Sequence, residues 1–406
     1  MKIALLKERK ASGDARVLFS PKQLAEITQQ YPQHQFTVES SNTRAFTDSE
    51  YRNYGIEVTQ NLNDTDVLLG IKEVPLPALI PHKTYFFFSH TTKMQPHNKT
   101  YLEGLKKSQI TFYDYENFTD DNSKRLISFG KNAGLIGAYQ SMRTYGLKNK
   151  LFTLPSPSNL QSFTELYTHV KNIALPPIKI VVTGTGNVGS GINEFLKKIG
   201  VQKVTPIDFL SEKFTNPVFT QLSKKDYLLH KETNTYTESD FIAHPNRYKS
   251  TFVKFAQLAE LFIGGHYHHT GMPFFFTKDD IQNTNFKINT IGDISCDVHT
   301  PIPTCLRPST PNDPIYGYNK FSESECNYLN EDSIAIMAVD NLPCELPRET
   351  STDFGNQFKA HILDDLMTDL ESSLLTKACV LKNGEFTKRY GYLNDFINQE
   401  NILKLS

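Results

Sequence analysis

At 406 residues, with 38% hydrophobic and 21% charged residues, the chain exceeds the size at which single cores stop growing, and two domains are expected. Lys+Arg 43 against Asp+Glu 44 leaves a formal net charge of -1, with no electrostatic footprint for nucleic acid, and no apolar run approaches the roughly 18 residues of a membrane span. The start MKIALLKERK turns charged too early for a signal peptide. The five cysteines, Cys296, Cys305, Cys326, Cys344 and Cys379, show no CxxC spacing, so neither a disulfide framework nor a zinc site is indicated. A cytoplasmic protein without nucleic-acid or membrane partners is expected, and its oligomeric state is left open.

KIALL reads as a strand, followed by a charged loop and the amphipathic helix SPKQLAEITQQY, with Ser20 as N-cap and Pro21 at the first helical position. QFTVES, DVLLGIK (66–72), TYFFFS (84–89) and ITFYDYE (110–116) read as further strands, with the helix NKTYLEGLKKS between the last two. Short, almost continuously apolar strands alternating with helices predict a parallel sheet covered on both faces. Ligands of such a sheet lie outside the carboxyl ends of its strands. Lys72 and Glu116 are expected to close their strands and His90 to follow the end of the aromatic one, so three ionisable groups converge on one edge. FGKNAGLIGAYQSMRTYGLKN (129–149) predicts one long helix, rich in small residues, that leaves the first domain.

The segment IKIVVTGTGNVGSGINEFLKKI places Gly184, Gly186 and Gly189 in GxGxxG order between an apolar strand and a helix. The first glycine permits the turn, the second admits a pyrophosphate, and the third lets helix pack on strand, with Asn187 and Val188 completing the loop. An acidic residue near the end of the next strand usually meets the adenine ribose. VQKVTPIDF offers Asp208, but Thr205 and Pro206 intervene, so a place in a loop is the alternative and NAD or NADP stays open with a slight lean to NAD. GGHYHHTG holds His266, His268 and His269, read as a loop at a domain edge because no acidic or cysteine partner stands at ligand spacing; no metal is expected.

DARVLFSP, GIKEVP, KTYFFFSHTTKMQ, FYDYE, RLISFGKNAG, VVTGTGNVGSG, HPNRY, GDISCD and MAVDNLPCELP, in this order, resemble the saccharopine dehydrogenase and alanine dehydrogenase group, most of all its lysine-ketoglutarate reductase (L-lysine-forming) domain. The resemblance implies an α/β fold of two Rossmann-like domains with parallel sheets and a substrate cleft between them. It assigns 1–133 plus 350–406 to the substrate domain and 134–349 to the dinucleotide domain. It also implies acid–base roles for Lys72 and His90, and a carboxylate-binding Arg16. Lys93 and Arg125 become further polar contacts, with Glu116 tempering the positive field. Asp297 falls near the nicotinamide, Asn341 is a further cofactor candidate, and Asp293 is a structural neighbour.

The chemistry of making or breaking a carbon–nitrogen bond needs groups that titrate near neutrality, which suits a histidine and a lysine beside other cations. Carboxylate substrates need fixed cations, and three of them suit the three carboxylates of saccharopine. The expected reaction interconverts saccharopine with lysine and 2-oxoglutarate. The rivals are an alanine dehydrogenase-like enzyme acting on ammonia and pyruvate, and a catalytically silent dinucleotide-binding sensor.

Overall fold

The computed structural model describes residues 1–9 and 13–398; the end of the expected returning segment, 399–406, lies outside them. The chain forms two compact units, Met1–Ser128 with Pro347–Ser406, and Phe129–Leu346. Both are α/β, and both carry an eight-stranded, mostly parallel sheet; the first follows the Rossmann strand order, and the second departs from it by placing the strand Val218–Leu222 between those of Lys179–Thr183 and Gln202–Lys203.

In chain order the first unit contains β1 (Lys2–Leu5), α1 (Pro21–Gln30), β2 (Gln35–Glu39), α2 (Asp48–Asn53), β3 (Glu57–Thr59), β4 (Val67–Leu69), β5 (Thr84–Phe87), α3 (Lys99–Lys107) and β6 (Thr111–Asp114). The second holds α4 (Gly130–Lys148), α5 (Phe163–Lys171), β7 (Lys179–Thr183), α6 (Asn187–Lys198), β8 (Gln202–Lys203), α7 (Pro206–Ser211) and β9 (Val218–Leu222). A hairpin of β10 (Leu228–His230) and β11 (Tyr248–Ser250) follows, then β12 (Leu261–Gly264), β13 (Thr290–Asp293), β14 (Ile315–Asn319), β15 (Glu325–Cys326) and β16 (Ser333–Met337). The chain returns to the first unit through α8 (Pro347–His361), β17 (Cys379–Lys382) and β18 (Glu385–Phe386).

Local chemistry sets the start of α1 as expected. Ser20 caps Gln23 N–H, the Gln23 side chain accepts Ser20 N–H at 2.9 Å, and Pro21 has no N–H to lose at that position. The first sheet runs β18-β17-β6-β5-β4-β1-β2-β3, with β1 to β6 mutually parallel. The chain therefore builds outward from β1 in one direction, returns, and builds the other way from β4. The aromatic run is scaffold on both faces: Phe86 stacks on Tyr113 and Phe87 on Phe112, each at 4.4 Å. Each phenylalanine is fully buried, stabilising the fold by about 2–3 kcal/mol.

The second sheet runs β15-β14-β16-β13-β12-β7-β9-β8, and its reversal falls between β7 and β12. β8 has two residues and pairs only with β9, because Pro206 opens α7 almost at once. The small residues of α4 have a packing reason. A Cβ on Gly134 would stand 2.0 Å from Val188 O of α6, and one on Gly191 would stand 2.0 Å from Lys131 O of α4. The two helices thus touch backbone to backbone. Among the described residues, no helix is long and apolar enough to cross a membrane.

The strands stop earlier than the apolar runs suggest. Lys72 lies three residues beyond β4, Glu116 sits in a 3-10 turn after β6, and Asp297 lies four residues beyond β13, because the backbone bends out of each sheet first.

Gly134→Ala is expected to lower the unfolding free energy by about 2–3 kcal/mol, since neither helix backbone can yield. Urea unfolding checks it, and an unchanged midpoint and slope would contradict the contact.

Candidate active site

In the first unit three predicted residues meet around the carboxylate of a fourth. Asp114, the last residue of β6, accepts Ser89 Oγ–H at 2.5 Å and Glu116 N–H at 2.9 Å, tying the loop after β5 to the turn after β6. That tie places Glu116 Oε2 3.1 Å from His90 Nδ1 and Oε1 3.2 Å from Lys93 Nζ, with the Arg125 guanidinium bound to the same Oε1. The Glu116 side chain is 4% exposed, whereas those of His90, Lys93 and Arg125 are 36%, 46% and 40% exposed. The anion is buried and its cations face outward. Burial pushes the Glu116 carboxyl up, but His90, Arg125 and Lys93 outweigh it and hold it at about 2. Burial and the charge of Glu116 raise Asp114 to about 6.

His90 adopts a left-handed backbone, φ 57 and ψ 10, which costs a residue with a Cβ on the order of 1–2 kcal/mol. Asn98 Nδ2 donates to its carbonyl at 3.1 Å and holds it there. Arg16 is placed differently from an open carboxylate ligand. Its side chain is 1% exposed and forms a bidentate pair with Asp14, Nε to Oδ1 at 2.9 Å and Nη2 to Oδ2 at 2.6 Å. Lys72 lies on the bend after β4, where the backbone N–H groups of Ile71 and Lys72 both donate to Glu8. Sequence reasoning missed Glu8 and Asp14, although both stand in the charged loop beside Arg16.

In the second unit the three glycines follow β7 as the motif predicts. Gly184 has φ 92, and a Cβ there would lie 2.2 Å from Gly265 O. A Cβ on Gly189 would lie 2.0 Å from Gly184 O, whereas one on Gly186 meets nothing within 4 Å. Gly186 is the N-cap of α6 and Asn187 its first residue, with Val188 next, so the open space faces a helix N-terminus. These residues fit a pyrophosphate cradle. Gln221 of β9 fastens the loop, its Nε2 donating to Gly184 O at 2.9 Å and Gly189 O at 3.0 Å, and it accepts from Lys203 Nζ at 2.8 Å.

Asp208 is not next to this loop in the sheet. It lies in the first turn of α7, beyond β8, and its Oδ2 accepts Thr205 Oγ–H at 2.7 Å within the helix cap. On the side away from β12, the strand hydrogen-bonded to β7 is β9, which ends in Leu222 and runs into Ser223, Lys224 and Lys225. The first carboxylate after it, Asp226, accepts the N–H and hydroxyl of Ser223, both at 2.7 Å.

At the carboxyl end of β12, His266 Nδ1 lies 2.8 Å from Thr183 Oγ1, and burial lowers its pKa to about 3, so the ring is neutral. Asp293 ends β13, buried, accepting Ser295 Oγ–H at 2.7 Å, and burial raises it to about 6. Asp297 is exposed in the following loop; partial desolvation of its carboxyl by the surrounding loop raises its pKa against the opposing pull of His268. Asn341 takes a left-handed conformation, φ 60, just before the 3-10 turn Leu342–Glu345. Among the described residues no three His, Cys, Asp or Glu side chains are grouped as for a metal ion.

Residues 4–136 match the family model "Alanine dehydrogenase/PNT, N-terminal domain". This segment is an alanine dehydrogenase/PNT N-terminal domain. The chain is 27% identical over 397 residues to alpha-aminoadipic semialdehyde synthase of Arabidopsis thaliana, spanning 88% of this chain and 37% of that protein. It is 26% identical over 439 residues to the mitochondrial alpha-aminoadipic semialdehyde synthase of Mus musculus, spanning 96% and 47%. It is 25% identical over 346 residues to saccharopine dehydrogenase (NAD(+), L-lysine-forming) of Schizosaccharomyces pombe, spanning 79% and 82%. The chain thus spans less than half the length of the two synthases. A solved L-alanine dehydrogenase shares the fold at TM-score 0.64 and 14% identity, covering 98% of this chain and all of that one. A transhydrogenase from Sinorhizobium meliloti does so at TM-score 0.60 and 11% identity, covering 95% of this chain.

Two substitutions in the glycine loop should separate. Gly186→Ala is expected to leave the melting temperature unchanged and weaken dinucleotide binding by about tenfold or more, while Gly189→Ala should lower the melting temperature without any ligand. Calorimetry and coenzyme titration check both. For Glu116, a folded-state value of about 2 against 4.5 means that its ion pairs stabilise fully above the higher value and are lost as pH falls towards the lower. Glu116→Gln should therefore flatten the acid limb of stability, by on the order of 2–3 kcal/mol between about pH 5 and pH 2, read by urea unfolding.

Proposed function

We propose that the chain is an NAD(P)-dependent oxidoreductase acting on CH-NH groups that interconverts saccharopine with lysine and 2-oxoglutarate, in a cytoplasmic setting. The carrying observation is the buried Glu116 with His90, Lys93 and Arg125 around it, which presents a proton-transfer group and two cations on one edge of an alanine dehydrogenase/PNT N-terminal domain. The names of the relatives point the same way. A small amino acid has one carboxylate to bind, whereas saccharopine has three and uses the additional cations.

In this reading His90 and Lys72 move protons to and from the amine, the carbinolamine oxygen and the departing water. Lys93 and Arg125 turn from Glu116 towards substrate carboxylates, and Glu116 keeps the cluster from an excess of positive charge. Arg16, held by Asp14, offers a fixed positive potential to a third carboxylate. The glycine loop and the start of α6 hold the dinucleotide, with Asp297 and Asn341 beside its nicotinamide. When bound, the dinucleotide supplies or accepts the hydride at the imine carbon. The domain family also contains alanine dehydrogenases, so reductive amination of pyruvate by ammonia is the second reading.

The end of β9 argues for the phosphorylated coenzyme, against the initial lean to NAD. In a Rossmann sheet the strand beside the glycine strand ends at the adenine ribose, where an acidic residue binds the 2′-hydroxyl and a cation accommodates a 2′-phosphate. Here that end carries Ser223 and the exposed Lys225, with Lys203 directed at Gln221 beside the loop; of the carboxylates there, Asp226 is taken up by its helix cap and Glu238 by its ion pair with Lys224.

Purified protein tested with 2-oxoglutarate plus lysine, and with pyruvate plus ammonia, is expected to oxidise the reduced coenzyme only with the first pair. Turnover with pyruvate and ammonia alone would move the substrate, and silence despite coenzyme binding would remove the enzymatic reading. In titrations NADPH should bind about tenfold or more tightly than NADH, and Lys225→Glu should reduce that ratio; equal affinities would sink the coenzyme assignment.

A further inference from the structure

Glu8 lies where the first sheet reverses its direction of growth. β1 pairs with β2 on one side and β4 on the other, and the last rung between β1 and β4 is Leu6 N–H to Leu69 O at 2.9 Å. Beyond it the two chains part, as strands do at the switch point where open α/β sheets bind their ligands. The Glu8 side chain spans this gap. Its Oε1 accepts Ile71 N–H and its Oε2 accepts Lys72 N–H, both at 2.8 Å.

A continued backbone ladder would join the chains without burying a charge. A carboxylate is used instead, in a costly place: burial, and then the charge of Asp14, raise Glu8 to about 7 against the opposing pull of Ile71, Lys72 and Arg16. Ile71 is fully buried, so the bend is anchored on its core side, and the two N–H bonds fix the remaining freedom of the backbone that carries Lys72.

We infer that Glu8 is a positioning residue for Lys72, holding the bend of residues 70–73 across the switch point so that the lysine amine is presented to substrate. The function of Lys72 in this inference rests on the proposed reaction; its placement by Glu8 does not. The carboxylate is required as such, because both of its oxygens must accept. A glutamine keeps the size but sets an N–H donor against one of the two backbone N–H groups.

The test is Glu8→Gln, with three readouts on the whole protein. Hydrogen exchange should speed up about tenfold or more at the Ile71 and Lys72 amides and stay unchanged at Leu6 and Gly70, whose bonds run to Leu69 O and Phe86 O. Amine labelling read by mass spectrometry should change severalfold at Lys72 and not at Lys2. Turnover with lysine and 2-oxoglutarate should fall by about tenfold or more in kcat, with coenzyme affinity unchanged. Unchanged exchange at Ile71 and Lys72 overturns the inference, and so does loosening of every amide in the sheet, which would make Glu8 a general stabiliser. Loosened amides with unaltered Lys72 labelling also overturn it. If the parent protein turns over neither substrate pair, the reaction reading falls while exchange and labelling still decide the role of Glu8.

Discussion

Parallel strands buried on both faces leave chemistry one place to go. In each unit the strand interiors are largely apolar, so most polar groups with a candidate role stand at or just after a strand's carboxyl end, with Arg16 and Arg125 further along the loops. Gly184 follows β7, Gly265 and His266 follow β12, and Asp293 closes β13. Lys72, His90 and Glu116 follow β4, β5 and β6 in the same way. The sheet fixes these positions relative to one another through its hydrogen-bond register, and the loops only have to aim side chains from ends already in place.

Electrostatics then divides the two units. The first holds four carboxylates beyond its strand ends, Asp14, Asp114 and Glu116 buried and Glu8 part-buried; Asp14 pairs with the buried Arg16, and Glu116 with the outward-facing Lys93 and Arg125. An anion inside a protein is costly unless it is paired, and a cation beside one is held in orientation as well as charge. Of the four, Glu116 is held low by His90, Arg125 and Lys93, whereas Asp114 and Glu8 are raised by burial and by neighbouring anions. The second unit uses dipoles instead of charge, with a helix N-terminus above three glycines and a glutamine amide closing the loop from β9. A pyrophosphate suits the latter and a polycarboxylate the former.

Much of the fold was legible because its signals are local and strong. Ser20-Pro21 before an amphipathic run, four aromatics in succession and GxGxxG between a strand and a helix each constrain backbone by themselves. What was not legible depends on pairing at a distance. β8 and β9 are both short, and only the sheet shows that β9 lies beside β7, which takes Asp208 away from the glycine loop and brings Lys225 and Ser223 towards it. Glu8, Asp14 and Arg16 sit in a loop without periodicity, so the sequence displays the arginine but not that Asp14 holds its Nε and Nη2. The clustering of His90, Lys93, Glu116 and Arg125 followed from strand ends for two of them, whereas Lys93 and Arg125 came only with the family resemblance.

The left-handed backbone at His90 carries a consequence for how this protein would respond to selection. Glycine tolerates that dihedral without strain, yet glycine has no imidazole to set against Glu116. Under the proposed role of His90 in proton transfer, pressure for heat tolerance and pressure for that chemistry pull position 90 in opposite directions, and a lineage that did without the chemistry would be free to relax there first.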